Sequence, residues 1–322
     1  MSDFADGPVR RRLRVRYQDR HGLTPPTDLV RESLTIGATP RTWWTAPAPA
    51  RGSAPPPLLV VLHGAGGQGP GTASLTGFHH RGPAAGFCTV FPDGAQRVWN
   101  DSRVSGATRR RADVDDVGFL QALLERLVAD GRAHGDRVYL AGISNGALMA
   151  EHIGRHGLLP VAGLGLVAGP GTETSRAAHP RPARTAAVAL FSGTADPLVP
   201  YRGGPIGPLG RLVQRRGATD RGLAVAAETA AAEWAAVDGI DTPPVIDALG
   251  VAGDLPVTRL SWTRPDGPGV VLHRVEGGGH TWPGAAQYLP ARFVGPVARA
   301  LDATGILLAT FRDEEARACG AT

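Results

Sequence analysis

Apolar residues along this chain come in two patterns. Continuous runs occur at Leu58–Leu62, Cys88–Phe91, Arg137–Ile143, Val161–Val167 and Ala186–Phe191. Such runs do not alternate, so they predict strands buried on both faces. Between them, apolar positions recur at helical spacing. Val117, Leu120, Leu124, Leu127 and Val128 predict a helix over Val114–Ala129. Helices are also expected at Thr72–Ala85, Ala147–His156, the alanine-rich Leu223–Val237 and a closing amphipathic Thr304–Arg312. Two short alternating runs, Ser33–Ile36 and Arg41–Thr45, flank a Gly37-Ala38-Thr39-Pro40 turn and predict a β-hairpin. Val257–Trp262 and Val270–Val275 read as strands joined through Pro265-Asp266-Gly267.

Strands therefore alternate with helices from Leu58 onward. That order predicts an α/β fold: a mostly parallel central sheet, helices on both faces, and an N-terminal β-hairpin. The division expected is an N-terminal extension over 1–32, a catalytic domain over 33–312 and a C-terminal tail over 313–322. The Gly/Arg-rich stretch 203–221 reads as a surface insertion, and Leu13–Tyr17 as an edge strand in the extension.

Composition narrows the class. The 322 residues, 42% hydrophobic, are enough for one large core. Net charge is +5, and every basic side chain is arginine. The clusters Arg10–Arg12, Arg109–Arg111 and Arg215-Arg216 are not interleaved with aromatics, so a solvated surface is the reading and no nucleic-acid partner is expected. Two cysteines, Cys88 and Cys319, form neither a metal spacing nor a disulfide framework. Met1–Arg20 is polar and basic. As written, the chain reads as cytoplasmic with no membrane contact, or as secreted had a leader been removed.

The candidate chemistry centres on Gly142-Ile143-Ser144-Asn145-Gly146, between a predicted strand and a predicted helix. A serine held between two glycines at such a junction is a nucleophile elbow. Side chains two positions before and after it would collide with backbone. A serine hydroxyl needs a base, and the base a partner that orients it. Asp196 and His280 each follow a predicted strand and complete the order Ser, Asp, His. Catalytic groups in such sheets lie beyond the carboxyl ends of strands. For Asp196 the plainer alternative is a turn residue, and for His280 a loop histidine. The oxyanion donors expected are the N–H of Asn145 and that of Ala65, in the loop His63-Gly64-Ala65-Gly66-Gly67, with His63 bracing the loop. Trp99, Asn100 and Trp282 stand beside these elements and are candidate substrate-binding residues; the alternative for each tryptophan is a buried anchor. His79, His80, His134, His152 and His156 read as surface residues. Asp113, Asp115 and Asp116 read as helix-start carboxylates, and no metal site is expected.

Taken together, Leu62-His63-Gly64-Ala65-Gly66-Gly67, Trp99-Asn100-Asp101, Val114–Leu120, the Gly142–Gly146 elbow, Gly193–Tyr201 and Gly277–Gly284 resemble the polyhydroxybutyrate depolymerase-like esterases, which are similar to feruloyl and acetyl-xylan esterases. The likeness runs from about Ser33 to Phe311. It implies an α/β-hydrolase fold and a cofactor-free serine esterase with Ser144, Asp196 and His280 as triad, cleaving short-acyl, hydroxyacyl or aryl esters. The chain departs from many such relatives at Ile240, where they carry cysteine, and in the 203–221 insertion. Two other readings stay open: an acyltransferase using the same site, and a non-catalytic binding protein on the same fold. The oligomeric state is not legible.

Overall fold

A computed structural model describes residues 24–49, 54–103, 114–183, 187–207, 222–250, 253–264 and 267–320. The Leu13–Tyr17 strand, the three arginine clusters, Asp113, the Cys319 side chain and most of the 203–221 insertion lie outside the described residues.

The chain forms β1 (Val30–Ile36), β2 (Thr39–Thr45), β3 (Leu58–Leu62), α1 (Gly69–Thr76), α2 (Phe78–Ala84), β4 (Cys88–Pro92), α3 (Asp116–Ala129), β5 (Val138–Ile143), α4 (Asn145–His156), β6 (Val161–Val167), α5 (Glu173–Ala178) and β7 (Ala187–Gly193). There follow β8 (Gly204–Pro205), β9 (Leu223–Ala224), α6 (Ala227–Val237), β10 (Val245–Leu249), β11 (Val257–Arg264), β12 (Gly267–Val275), α7 (Ala291–Val294) and α8 (Ala303–Gly320).

One ten-stranded sheet carries the fold, in the order β1-β2-β4-β3-β5-β6-β7-β12-β11-β10. The stretch from β4 to β12 is parallel throughout. Both flanks are antiparallel: β1 and β2 on one side, β11 and β10 on the other. The expected hairpin forms, but with longer strands: β1 begins at Val30, and Thr39 and Pro40, expected in the turn, pair with Ile36 and Thr35; β3 and β6 have the expected bounds. Every residue of β3, β4, β5 and β7 is buried, as continuous apolar runs require.

The core has two layers, one on each face of the sheet. Residues of α3, α4 and α6 build one layer with Trp99 and Trp234; α8, Phe78, Phe87, Tyr139 and Trp282 build the other. Alternation sorts each strand between them. Leu58, Val60 and Leu62 face the first layer, and Leu59 and Val61 the second.

Several boundaries differ from the sequence expectation. The helix expected over Thr72–Ala85 is two helices, because Gly77 takes φ 69° and its N–H closes the first on Ala73 O. The helix expected to begin at Leu223 begins at Ala227, because Leu223–Ala224 pairs with Gly204–Pro205 and Ala224 bridges Thr172. The closing helix runs on to Gly320 where a tail was expected. Asp115 and Asp116 stand at the start of α3 as expected: Asp115 caps it, accepting Gly118 N–H at 2.7 Å, and Asp116 is its first residue. Asp116 is in addition buried against Arg41, whose guanidinium also lies over the Phe119 ring, and burial raises its carboxyl above the usual range. Among the described residues, no helix is long and apolar enough to cross a membrane.

Candidate active site

Ser144, Asp196 and His280 leave the carboxyl ends of β5, β7 and β12 respectively. Only β6 separates β5 from β7, so Ser144 and the Asp196 turn are about two strand spacings apart, roughly 10 Å at the usual 4.8 Å per strand. β12 is the next neighbour of β7.

Ser144 has φ 58° and ψ −124°, a conformation that non-glycine residues rarely adopt. The flanking glycines explain how it is tolerated. A Cβ on Gly142 would lie 2.5 Å from the Gly146 carbonyl, and one on Gly146 would lie 2.6 Å from His63 O. Both clashes are with backbone, which cannot yield cheaply. Gly169, after β6, is a third such position and was not singled out from the sequence; its Cβ would meet Ser144 O at 2.6 Å. The turn hands directly into α4, whose first hydrogen bond is Leu148 N–H to Ser144 O at 2.9 Å. The Asn145 N–H precedes that bond and has no helical acceptor.

His280 Nδ1 stands 2.7 Å from Asp196 Oδ2. A carboxylate only accepts, so Nδ1 carries the proton and Nε2 is left as an acceptor. Asp196 is held in turn: its Oδ1 accepts the N–H groups of Leu198 at 2.7 Å and Val199 at 2.9 Å. The His280 main chain is fixed by Val294 O on one side and by the Tyr288 hydroxyl on the other. His280 and Asp196 are both buried, and Ser144 is half-buried. Among the described residues, Ser144 Oγ has no hydrogen-bond partner, His280 included.

The loop after β3 closes on the elbow. A Cβ on Gly64 would lie 3.4 Å from Ser144 Cβ. Within this loop Gly66 N–H is taken by Arg97 O at 2.7 Å and Gly67 N–H by Gly64 O at 2.8 Å. The Ala65 N–H has no such partner among the described residues, and Ala65 is exposed. His63 braces the loop, as expected. Its Nε2 accepts Gly94 N–H at 2.9 Å and its Nδ1 lies 2.8 Å from Gly64 O. Those two partners select the Nδ1–H tautomer.

Two substrate-binding expectations are corrected. Trp99 is 0% exposed and Trp282 1% exposed, so neither presents a wall to a ligand. Trp99 donates its ring N–H to His63 O at 3.0 Å. Trp282 donates to Thr304 Oγ1 at 3.0 Å and meets the Phe78 ring edge-on. Each ring N–H thus has a protein partner, which is what lets a tryptophan sink fully. Asn100 is half-buried; it donates one side-chain N–H to Val114 O at 2.9 Å and its backbone N–H to Asp116 Oδ2 at 2.7 Å.

The structure adds Asp101, to which sequence reasoning gave no role. It is buried, and it receives Asn145 Nδ2 at 2.7 Å and Arg103 Nε at 2.7 and 2.9 Å. Its place in the Trp99-Asn100-Asp101 motif was the available signal. His152 and His156 are not isolated surface groups: their rings lie 4.3 Å apart, and His156 lies 4.3 Å from His179. A polar cavity lined by Thr194, Tyr201, Arg202, Glu228, Arg274 and Glu276 flanks the Asp196 turn. Neither Ser144 nor His280 lines it.

No protein-family model matches the chain. It is 31% identical over 280 residues to the protein named "Putative esterase NocK" of Nocardia uniformis subsp. tsuyamanensis, covering 85% of this chain and 79% of that one. The chain belongs to the esterase family. Its fold is that of the α/β-hydrolases, and its class is carboxylic-ester hydrolase. Among solved structures, the acetyl xylan esterase of Aspergillus awamori superposes with a TM-score of 0.51 at 15% identity, covering 78% of this esterase and 94% of the other. A thermostable esterase matches 54% of this chain at 16% identity and a TM-score of 0.42.

Proposed function

We propose that this esterase works through an acyl-enzyme on Ser144. The observation that carries the reading is the His280–Asp196 hydrogen bond of 2.7 Å beyond the carboxyl ends of β12 and β7, in the same sheet whose strand β5 ends in a serine at positive φ. A histidine whose Nδ1 proton is committed to a carboxylate has Nε2 free to accept a proton. In the reaction, Ser144 Oγ attacks the ester carbonyl as His280 Nε2 takes its proton. The charge that develops on the carbonyl oxygen is met by the N–H groups of Ala65 and Asn145. His280 then protonates the leaving alcohol. Water, deprotonated by the same nitrogen, releases the acid and restores Ser144. Asp196 stays ionised, orienting the ring and stabilising the imidazolium.

The substrates we infer are short-acyl, hydroxyacyl or aryl esters, of the kind the polyhydroxybutyrate depolymerase-like and feruloyl or acetyl-xylan esterase-like motifs imply. The test is a fluorophosphonate probe followed by p-nitrophenyl acetate, 3-hydroxybutyrate and feruloyl esters. Wild type is expected to be labelled at Ser144 and to hydrolyse at least one ester. Ser144→Ala is expected to lose both labelling and turnover. Turnover by Ser144→Ala above about a tenth of the wild-type kcat/KM, far more than a deleted nucleophile leaves, overturns the assignment.

A further inference from the structure

In the mechanism proposed above, two N–H groups must converge on one oxygen, and they come from separate elements. Ala65 lies in the loop after β3, and Asn145 opens α4. Neither amide is fixed by a helical or strand hydrogen bond. A third segment, residues 94–103 after β4, grips both elements.

Toward the β3 loop, Gly94 N–H meets His63 Nε2 at 2.9 Å, Arg97 O takes Gly66 N–H at 2.7 Å, and Trp99 Nε1 reaches His63 O at 3.0 Å. The Arg97 guanidinium adds bonds to the Gly66 and Gly67 carbonyls. Toward α4, the grip is on the Asn145 side chain. Trp99 N–H donates to Asn145 Oδ1 at 2.7 Å, and Asn145 Nδ2 donates to Trp99 O at 3.0 Å and to Asp101 Oδ2 at 2.7 Å. Asn145 thus has all its amide capacity on that side committed, and it is buried. The Asp101 bond is the charge-assisted one of the set, and such bonds are about twice as strong as neutral ones. The Arg103 Nη2–Asp101 Oδ2 ion pair, at 2.7 Å with Asp101 buried and Arg103 half-buried, compensates the carboxylate. Its charge therefore does not oppose an oxyanion nearby.

We propose that Asp101 is a positioning residue for the oxyanion site: through the Asn145 side chain, its carboxylate sets the Asn145 N–H against that of Ala65. The inference rests on Ser144 being the nucleophile. Asp101 does not touch the substrate. It acts on a donor whose contribution is felt when charge builds on the carbonyl oxygen, so it governs kcat more than ground-state binding.

The test compares Asp101→Ala with Asp101→Asn. An asparagine at 101 still offers an oxygen to Asn145 Nδ2; an alanine offers none. With p-nitrophenyl acetate, Asp101→Ala is expected to lower kcat about tenfold to a hundredfold, at or below the effect of removing a donor outright, with KM within about twofold. Inhibition by phenylboronic acid, whose tetrahedral adduct on serine puts an oxygen in the same site, is expected to weaken by the same factor as kcat. Asp101→Asn is expected to recover most of both losses. Equal losses in the two variants, a kcat loss not matched in boronate inhibition, or unchanged kcat in Asp101→Ala overturns the inference. Should Asp101→Ala fail to fold, Asn145→Ala, which keeps the main-chain N–H but not its tether, is expected to give the same matched losses; an unmatched or absent loss there overturns it equally. Ser144→Ala separates the two levels. If it retains turnover, the nucleophile assignment fails. If it is inactive while Asp101→Ala is unimpaired, only the role of Asp101 fails.

Discussion

His280 Nδ1 lies 2.7 Å from Asp196 Oδ2, while the other oxygen of that carboxylate takes two backbone N–H groups of its own turn. Asp196 is therefore a fixed post, and the imidazole is what it steers. That arrangement makes the effects of single substitutions interdependent. His280→Ala is expected to lower kcat/KM nearly as far as His280→Ala combined with Ser144→Ala, because either loss disables the same step. Asp196→Asn is expected to cost less than His280→Ala, since a base remains but in the wrong tautomer. A double-mutant cycle on kcat/KM checks this; additive losses would mean the residues act independently.

Trp282 was a candidate for binding substrate, and its burial reverses the expectation for its removal. Trp282→Ala deletes a ring packed on Phe78 and removes the donor to the Thr304 hydroxyl, which keeps its own bond to Thr76 O. The expected cost is about 3–5 kcal/mol of stability, the usual range for truncating a buried Trp. Chemical denaturation measures it. Folded Trp282→Ala protein is expected to keep the wild-type order of ester preference; a reordered preference with unchanged stability would return Trp282 to the cleft.

Two glycines predict opposite outcomes for the same substitution. Gly146→Ala pushes a methyl into the His63 carbonyl and is expected to destabilise by about 1–3 kcal/mol, as overpacking does, and to depress kcat by displacing α4. Gly71 lies in α1 with nothing within 4 Å of an added Cβ. Gly71→Ala is expected to stabilise by up to about 1 kcal/mol through helix propensity alone, leaving kcat unchanged. Thermal melts and p-nitrophenyl acetate turnover on both variants decide the pair.

Burial pushes His152 and His273 down to about 4 from an ordinary value of 6.5, with the neighbouring His156 adding to the effect on His152. Between those limits the unfolded chain binds protons that the folded chain refuses. Stability contributed by each group is thus present above pH 6.5 and is lost as pH falls toward 4, at up to about 1.4 kcal/mol per pH unit for one proton. His273 stacks on Phe191 with ring centroids 4.5 Å apart. His273→Phe keeps a flat ring and removes the titration. Its denaturation midpoint is expected to fall less steeply than that of wild type from pH 6.5 to 4.5, and to run parallel above pH 7. Equal slopes in the acid range would exclude His273 from the acid response.

Much of the candidate site was legible because its signals are local. A serine at positive φ needs glycine on both sides, so Gly142 and Gly146 announce the elbow within five residues. Continuous apolar runs mark strands buried on both faces, and the residues just beyond them, Asp196 and His280, follow from chain order. What a side chain does once placed is not local. Trp99 and Trp282 have the same composition of surroundings in the sequence whether they line a cleft or fill a core. Burial was decided by distant partners, His63 O and Thr304 Oγ1, that satisfy their ring N–H groups. Asp101 is likewise mute until Asn145, which lies in another element, comes within 2.7 Å. Sequence by itself determined the order of elements and the residue types that chemistry demands. Tertiary structure decided which of those residues face one another, because hydrogen-bond satisfaction and burial depend on contacts between segments that periodicity cannot pair.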